Sequence, residues 1–310
     1  MNYPLLAARL LIASLSLFLT ACGSKQETED RPQIALVMKS LANEFFQTMA
    51  QGAEAHHAAH DAQYDLIVNG IKNETDLGQQ LNLVEQMIAR RVDAIVIAPA
   101  DSRAMITVLK RATDAGILVI NIDNRLDVAA MEQAALKAPF VGPDNRAGAR
   151  RVAEVLAGTL EPGDKVAIIE GVPTAFNGQQ RRLGFEDAMK AAQVEIVSVQ
   201  SGSWEMSKAN TVASALLTSH PDLKAILCAN DSMALGAAAA VEAARRAEVQ
   251  VIGFDNISAM GPLIAAGRVL ATADQHGDQL GVYGIETALA ILAGESAPED
   301  RTTRIDIITK

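Results

Sequence analysis

The chain has 310 residues, 27 basic and 37 acidic, for a formal net charge of −10; hydrophobic residues make up 49% and charged residues 21%. That balance excludes a largely disordered chain and, with no run of Lys or Arg, a nucleic-acid partner. The length favours two cores over one. Only eleven residues are aromatic, so the core rests on Ala, Val, Ile and Leu, a composition suited to helices packed on a buried parallel sheet.

At the amino terminus, Leu10–Leu19 is a ten-residue apolar run after Arg9, too short to span a bilayer and of the length of a signal-peptide core. It ends in Leu19-Thr20-Ala21-Cys22-Gly23, which resembles the lipobox of bacterial lipoproteins. The resemblance implies that residues 1–21 are a signal peptide and that the Cys22 thiol carries a lipid. An ordinary cleaved signal with an incidental Cys is the alternative. Residues 22–32 are polar and unpatterned and read as a tether. The expected product is exported and lipid-anchored to a membrane on its periplasmic or cell-surface side. The second cysteine, Cys228, lies in an apolar run and reads as a buried free thiol.

From residue 33, β-rich runs alternate with segments of helical length. Strands are expected at Ile34–Met38, Asp65–Val68, Ala94–Ile97 and Leu118–Ile122, with helices at Asn43–His60, Asp76–Arg90 and Arg103–Ala115 between them. The rhythm returns with strands at Lys165–Glu170, Glu195–Val199, Ala225–Cys228, Val249–Phe254 and Val269–Ala273. The accompanying helices are Gly148–Leu160, Gly178–Ala192, Lys208–Ser219, Met233–Ala244 and Asp278–Ala293. Such alternation predicts right-handed βαβ units, hence an α/β protein of two doubly wound, Rossmann-like lobes with parallel sheets. Pro99-Ala100-Asp101-Ser102 offers N-cap oxygens to the next helix, and Gly116 and Gly267 stand where helices should end left-handed.

In doubly wound sheets ligands bind beyond the carboxyl ends of strands, so the polar residues there are the candidates. They are Lys39, Ser40 and Asn43; Asp123 and Asn124; Asn230 and Asp231; Asp255 and Asn256; Asp274 and Gln275; and Arg181 early in a helix. Any one of these Asp or Asn residues could equally be a helix cap; it is their joint occurrence that suggests a cleft. Two cations, Lys39 and Arg181, balance two anions, Asp123 and Asp255. Such a set suits a neutral polyhydroxylated ligand, whose hydroxyls both donate and accept. Neither G-x-x-x-x-G-K-S/T nor G-x-G-x-x-G occurs, so no phosphate loop is present and no cofactor is expected. Phe45, Phe46, Trp204 and Phe254 fall near the same strand ends, where a sugar's C–H face could stack.

These segments carry a family resemblance. Ile34–Phe46 (IALVMKSLANEFF), Val119–Asp123 (VINID), Cys228–Gly236 (CANDSMALG) and Val251–Asp255 (VIGFD) resemble ribose-type periplasmic sugar-binding proteins, and the likeness runs from residue 33 to 310. Lys39, Lys165–Gly171 (KVAIIEG), Arg181-Arg182 and Trp204 are most similar to the D-allose-binding branch. Glu44 departs from a usual Pro, Asn124 from the Arg of ribose binders, and Gly142-Pro143 also differs. The resemblance implies a type I periplasmic binding protein whose lobes are joined by a three-segment hinge near Gly142-Pro143, Gln275-His276 and Ser296–Asp300. Residues 31–142 plus 276–300 would form the N-terminal lobe, and residues 143–275 plus 301–310 the C-terminal lobe. Asn43, Asp123, Arg181, Asn230, Asp255 and Gln275 would hydrogen-bond a monosaccharide. Phe46 and Trp204 would sandwich its ring, Phe45 and Phe254 would line it, and Lys39 would add a donor. The ligand would be allose- or ribose-like, another hexose or a polyol. The implied partners are an ABC permease and its ATPase, with the protein a monomer; a sensing lipoprotein that presents its closed form to a chemoreceptor or sensor kinase is the alternative.

Other chemistry is less favoured. His56, His57, His60 and Asp61 have metal-like spacing but lie at the far end of the first helix and read as a solvated face, so no metal is expected. Asp123 and Asp255 as a glycosidase pair would need separated pKa values, whereas Arg181 and Lys39 should keep both ionised. No catalytic residue is therefore assigned. A transcription factor would need a DNA-binding helix-turn-helix where this chain carries its leader.

Overall fold

The computed structural model describes residues 31–296 and 300–310. The expected signal peptide, Cys22 and most of the tether lie outside these residues, as does part of the crossing expected at Ser296–Asp300.

The chain alternates from strand to helix: β1 (Gln33–Ser40), α1 (Glu44–Ala59), β2 (Asp65–Ile71), α2 (Leu77–Arg90), β3 (Ala94–Ile97), α3 (Ile106–Asp114), β4 (Leu118–Ile122), α4 (Val128–Gln133) and β5 (Phe140–Pro143). It continues with α5 (Asn145–Ala157), β6 (Lys165–Glu170), α6 (Phe176–Ala191), β7 (Glu195–Ser201), α7 (Met206–Ser219), β8 (Leu223–Cys228), α8 (Asp231–Ala243), β9 (Gln250–Ile252) and α9 (Met260–Ala265). Last come β10 (Thr272–Asp274), α10 (Gly277–Leu292), β11 (Arg301–Thr303) and β12 (Asp306–Ile308).

The first sheet is six-stranded and parallel, in the order β11-β5-β4-β3-β1-β2; the second is four-stranded and parallel, β7-β6-β8-β9. Strand order reverses between β1 and β3 in one sheet and between β6 and β8 in the other, which opens a crevice at each carboxyl edge. The period of two is visible in β1. Ile34, Leu36 and Met38 join the core that holds Phe46 and Met49 of α1, while Ala35 and Val37 join the opposite one with Val84, Met87 and Leu109. A strand buried on both faces needs helices on both, and both sheets have them.

The chain passes between the sheets three times, after Pro143, after Gln275 and after Thr303. Beyond β10, α10 returns to cover the first sheet, where Gly52 of α1 lies so near the backbone of Asp278 that a Cβ there would approach its carbonyl oxygen to 2.0 Å.

Several sequence expectations need correction. Arg301–Thr303, placed in the C-terminal lobe, pair with β5 in the first sheet; only Asp306–Ile308 cross over, to pair antiparallel with β10. The strand expected at Val269–Ala273 reduces to one bridge, Ala271 to Ile252, followed by β10. Asp101 caps no helix: its Oδ1 accepts from the amides of Arg103 and Ala104 in a turn, and α3 starts later, at Ile106. In contrast, Gly116 and Gly267 do take left-handed backbones, at φ +86° and +70°. His56, His57 and His60 are half-buried rather than solvated. The His56 and His60 rings stack 4.2 Å apart, and His56 Nδ1 lies 2.8 Å from the Tyr64 hydroxyl.

Candidate functional site

The carboxyl ends of both sheets face one narrow space, lined by Lys39, Asn43, Phe45, Phe46, Glu74, Asp123, Asn177, Arg181, Trp204, Asn230, Asp255 and Gln275. Ten of the eleven residues expected from sequence are there. Phe254 is not: it is fully buried behind the site, with the Arg181 guanidinium 3.8 Å from its ring centroid. It backs the cation and does not line the space.

Each polar group is held from behind. Lys39 is the last residue but one of β1, and its Nζ lies 3.0 Å from Asp123 Oδ2, with the centroids of Phe46 and Trp204 at 5.2 Å and 5.6 Å. Asp123 follows β4 at φ +59°, a left-handed turn that swings its side chain back over the strand end. On the other sheet, Arg181 Nε donates to Asn145 Oδ1 at 2.8 Å and Nη1 to the Ala229 carbonyl at 2.9 Å, leaving Nη1 3.3 Å from Asp255 Oδ1. Gln275 Nε2 donates to the same Asp255 oxygen at 2.7 Å. Asn43 and Asn230 do two jobs, because their side-chain oxygens cap α1 and α8 while their Nδ2 groups donate to Glu74 Oε1 at 2.9 Å and to the Trp204 carbonyl at 3.5 Å.

Burial decides the electrostatics. It pushes Asp255 up to about 7, outweighing the opposing attraction of Arg181. At Asp255, desolvation therefore opposes the ionisation expected from Lys39 and Arg181. Glu74 is likewise pushed up to about 7 by burial, against the pull of Lys39 and the Asn43 hydrogen bond.

Among the described residues, six buried side-chain polar atoms lack a hydrogen-bond partner. Four of them belong to residues that line this space: Glu74 Oε2, Trp204 Nε1 and Gln275 Oε1, and Asp123 Oδ2, which is ion-paired with Lys39 at 3.0 Å. Buried polar atoms are normally satisfied. Two free acceptors and one free donor, beside two cations and flat aromatic faces, are what several ligand hydroxyls and a C–H face would complete.

The lobes meet around the site through hydrogen bonds between them. Glu44 Oε1 accepts from the Ser258 amide at 2.7 Å, Glu205 Oε1 from the Glu74 amide at 3.2 Å, and Ser102 Oγ from the Phe176 amide at 2.9 Å. Asn124 Oδ1 accepts from the Asn177 amide at 3.1 Å. Asn124, buried and facing the opposite lobe, is a closure contact, and it does not line the space.

Sequence reasoning missed Glu74 and Asn177. Asn177 opens α6 one turn before Arg181 and could have been named by the same strand-end rule. Glu74 follows β2 by three residues, but the expected strand stopped at Val68 whereas β2 runs to Ile71. No group of three or more His, Cys, Asp or Glu among the described residues could hold a metal ion, and no helix among them is long and apolar enough to cross a membrane.

Two sheets with crevices facing one another across a polar, aromatic-lined space define a two-lobed ligand-binding protein. The pattern of the periplasmic binding protein domain family matches residues 34–296, and the chain belongs to that family. It is 54% identical, over 98% of its length and 97% of the other's, to a D-ribose/D-allose-binding protein of Pseudomonas aeruginosa. Among solved structures it resembles an ABC transporter solute-binding protein of Burkholderia multivorans holding an unknown ligand, with TM-score 0.88, 55% identity and coverage of 90% of this chain and 99% of that one. It also resembles a periplasmic solute-binding protein of Actinobacillus succinogenes with bound D-allose, with TM-score 0.85, 39% identity and coverage of 90% and 98%.

Proposed function

We propose that this protein is the solute-binding component of an ABC sugar importer, capturing one neutral monosaccharide between its lobes and delivering it to a permease. The observation that carries the reading is the set of unpartnered buried polar atoms facing Phe46 and Trp204. An allose- or ribose-like sugar is favoured by the likeness to proteins that bind those two. Residues 31–143 with 276–296 and 300–303 act as one lobe and residues 144–275 with 304–310 as the other, and the three crossings serve as the hinge. The site binds without turnover: Asp123 is committed to Lys39, and Asp255 to Arg181 and Gln275, so neither is a free nucleophile or base.

The protein works on the periplasmic side as a monomer, held to a membrane through Cys22, which raises its concentration near the permease. Calorimetric titration with aldohexoses, ketohexoses, aldopentoses and polyols is the test. Binding of one sugar class at micromolar to millimolar concentration is expected; no binding, or turnover of a glycoside, overturns the reading. Cys22→Ser should move the protein from the membrane to the soluble fraction, and continued membrane association would exclude the anchor.

A further inference from the structure

Glu74 is as enclosed as Asp123, each with 2% of its surface exposed, although it sits on the loop between β2 and α2 and not at a predicted strand end. Its Oε1 accepts from Asn43 Nδ2 at 2.9 Å, and its Oε2 lines the central space with no partner. Its backbone amide donates across the cleft to Glu205, the residue after Trp204. One residue thus faces the ligand with its side chain and the opposite lobe with its main chain.

A structural role accounts for only half of this side chain. Orienting Asn43 uses Oε1 alone; a Gln or a shorter group would do that without enclosing a second carboxylate oxygen. Burying an acceptor that finds no donor is unfavourable, and the space it faces is the one in which ligand hydroxyls would lie. The charged and polar groups around it are Lys39 from β1, Asn43 at the start of α1, Asp123 after β4 and Glu205 ahead of α7.

We infer that Glu74 is a specificity-determining ligand residue, whose free Oε2 engages one sugar hydroxyl on the side of the ring facing the first lobe. This rests on the monosaccharide reading above and deepens it. Glu74 demands a hydroxyl of one position and orientation, so epimers and deoxy sugars altered there are discriminated against. Held near the middle of the neutral range by burial, the carboxyl can accept from that hydroxyl or donate to it.

The test is a cycle between protein and ligand. Wild type, Glu74→Gln and Glu74→Ala are titrated with D-allose, D-ribose and the monodeoxy analogues of whichever sugar binds. In wild type, removing the hydroxyl that Glu74 reads should weaken binding roughly tenfold or more. In Glu74→Ala that penalty should vanish, with parent sugar and analogue binding alike, while penalties at the other positions persist. Glu74→Gln keeps the shape and the bond to Asn43, so it gives the same comparison should the Ala variant be poorly folded; there the penalty at that one position should shrink. Penalties unchanged at every position in both variants would show that Glu74 only holds Asn43 and would overturn the assignment. Failure of wild type to bind any sugar would instead overturn the monosaccharide reading, and this assignment with it.

Discussion

Nη1 of Arg181 lies 3.3 Å from Oδ1 of Asp255, in a pair whose side chains are 2% and 4% exposed. Around the guanidinium stand Asn145, the Ala229 carbonyl and the Phe254 ring, and among the described residues Asp255 is the only carboxylate paired with it. Asp255→Ala would leave that cation unpaired in a dry site and remove the acceptor that orients Gln275. The expected loss of sugar binding is roughly 2–5 kcal/mol, by analogy with truncation of one member of a buried charge pair. Asp255→Asn should cost less, because burial already holds the acid up to about 7 and its neutral form is populated near neutrality. Calorimetry of both variants checks this; an unchanged affinity in Asp255→Ala would place the site elsewhere.

Trp204 is the single Trp of the chain, and it sits in a turn where Ser203 and Trp204 both have positive φ, +53° and +68°. Gly171, just after β6, lets its indole lie flat against the backbone, for a Cβ there would come within 2.1 Å of Trp204 Cζ2. Gly171→Ala should therefore push the indole into the space reserved for the ligand. Overpacking of this kind costs roughly 1–3 kcal/mol, expected here mainly as weaker sugar binding. Because no other Trp contributes, the emission maximum reads the displacement directly. Wild-type emission together with wild-type affinity would contradict the packing described.

How far the site could be read from sequence depended on local geometry. Lys39, Asp123 and Asp255 were legible because a parallel strand delivers the residues at and beyond its carboxyl end to the crevice. Phe254 looked equivalent but precedes Asp255 by one, and alternation along the chain turns it to the other side, beneath Arg181. Glu74 was hidden because the apolar run of β2 stops at Val68, and Asn69-Gly70 ended the expected strand three residues before β2 ends at Ile71. β11 and β12 are three residues each and β11 is wholly polar, so nothing in Arg301–Thr303 signals that it joins the first sheet. β5 contains Gly142-Pro143 and so read as a hinge, although the same residues are an observed strand.

Closure itself has a measurable contact. Glu44 opens α1 and accepts the Ser258 amide from the other lobe at 2.7 Å, near the surface. A hydrogen bond to a charged group contributes about 1.5–3 kcal/mol when buried, and solvent at the cleft rim reduces that to about 0.5–1.5 kcal/mol. Glu44→Ala removes a bond formed only between closed lobes, so it should raise the dissociation rate of the sugar more than it lowers the association rate. Stopped-flow measurement of Trp204 emission separates the two. An unaltered dissociation rate would mean that this contact does not hold the closed form.

The pH dependence of stability follows from three buried carboxyls. Burial is the largest cause in each: it pushes Asp231 up to about 8 and Asp255 and Glu74 up to about 7. In the unfolded chain all three ionise near the ordinary value of about 4. Between about pH 4 and about pH 8 the folded state therefore holds protons that the unfolded state has released, and stability falls as pH rises through that window. Their contribution is complete below the unfolded value and lost above the folded one. Asp127, Asp187, Asp222 and Asp306, whose values are lowered chiefly by hydrogen bonds, work in the opposite sense at lower pH: their stabilisation is lost as pH falls through the folded values. His56, lowered mainly by burial, also opposes the trend near its own ordinary value, but it is one group against three. The sugar-free protein should thus be most resistant to urea near about pH 5 and progressively less so toward about pH 8, and Glu74→Gln should flatten the decline by removing one of the three protons. A urea midpoint that climbs steadily from pH 5 to pH 8, at about constant ionic strength, would show that these carboxyls are ionised in the folded protein and that Glu74 and Asp255 bring full negative charge to the cleft.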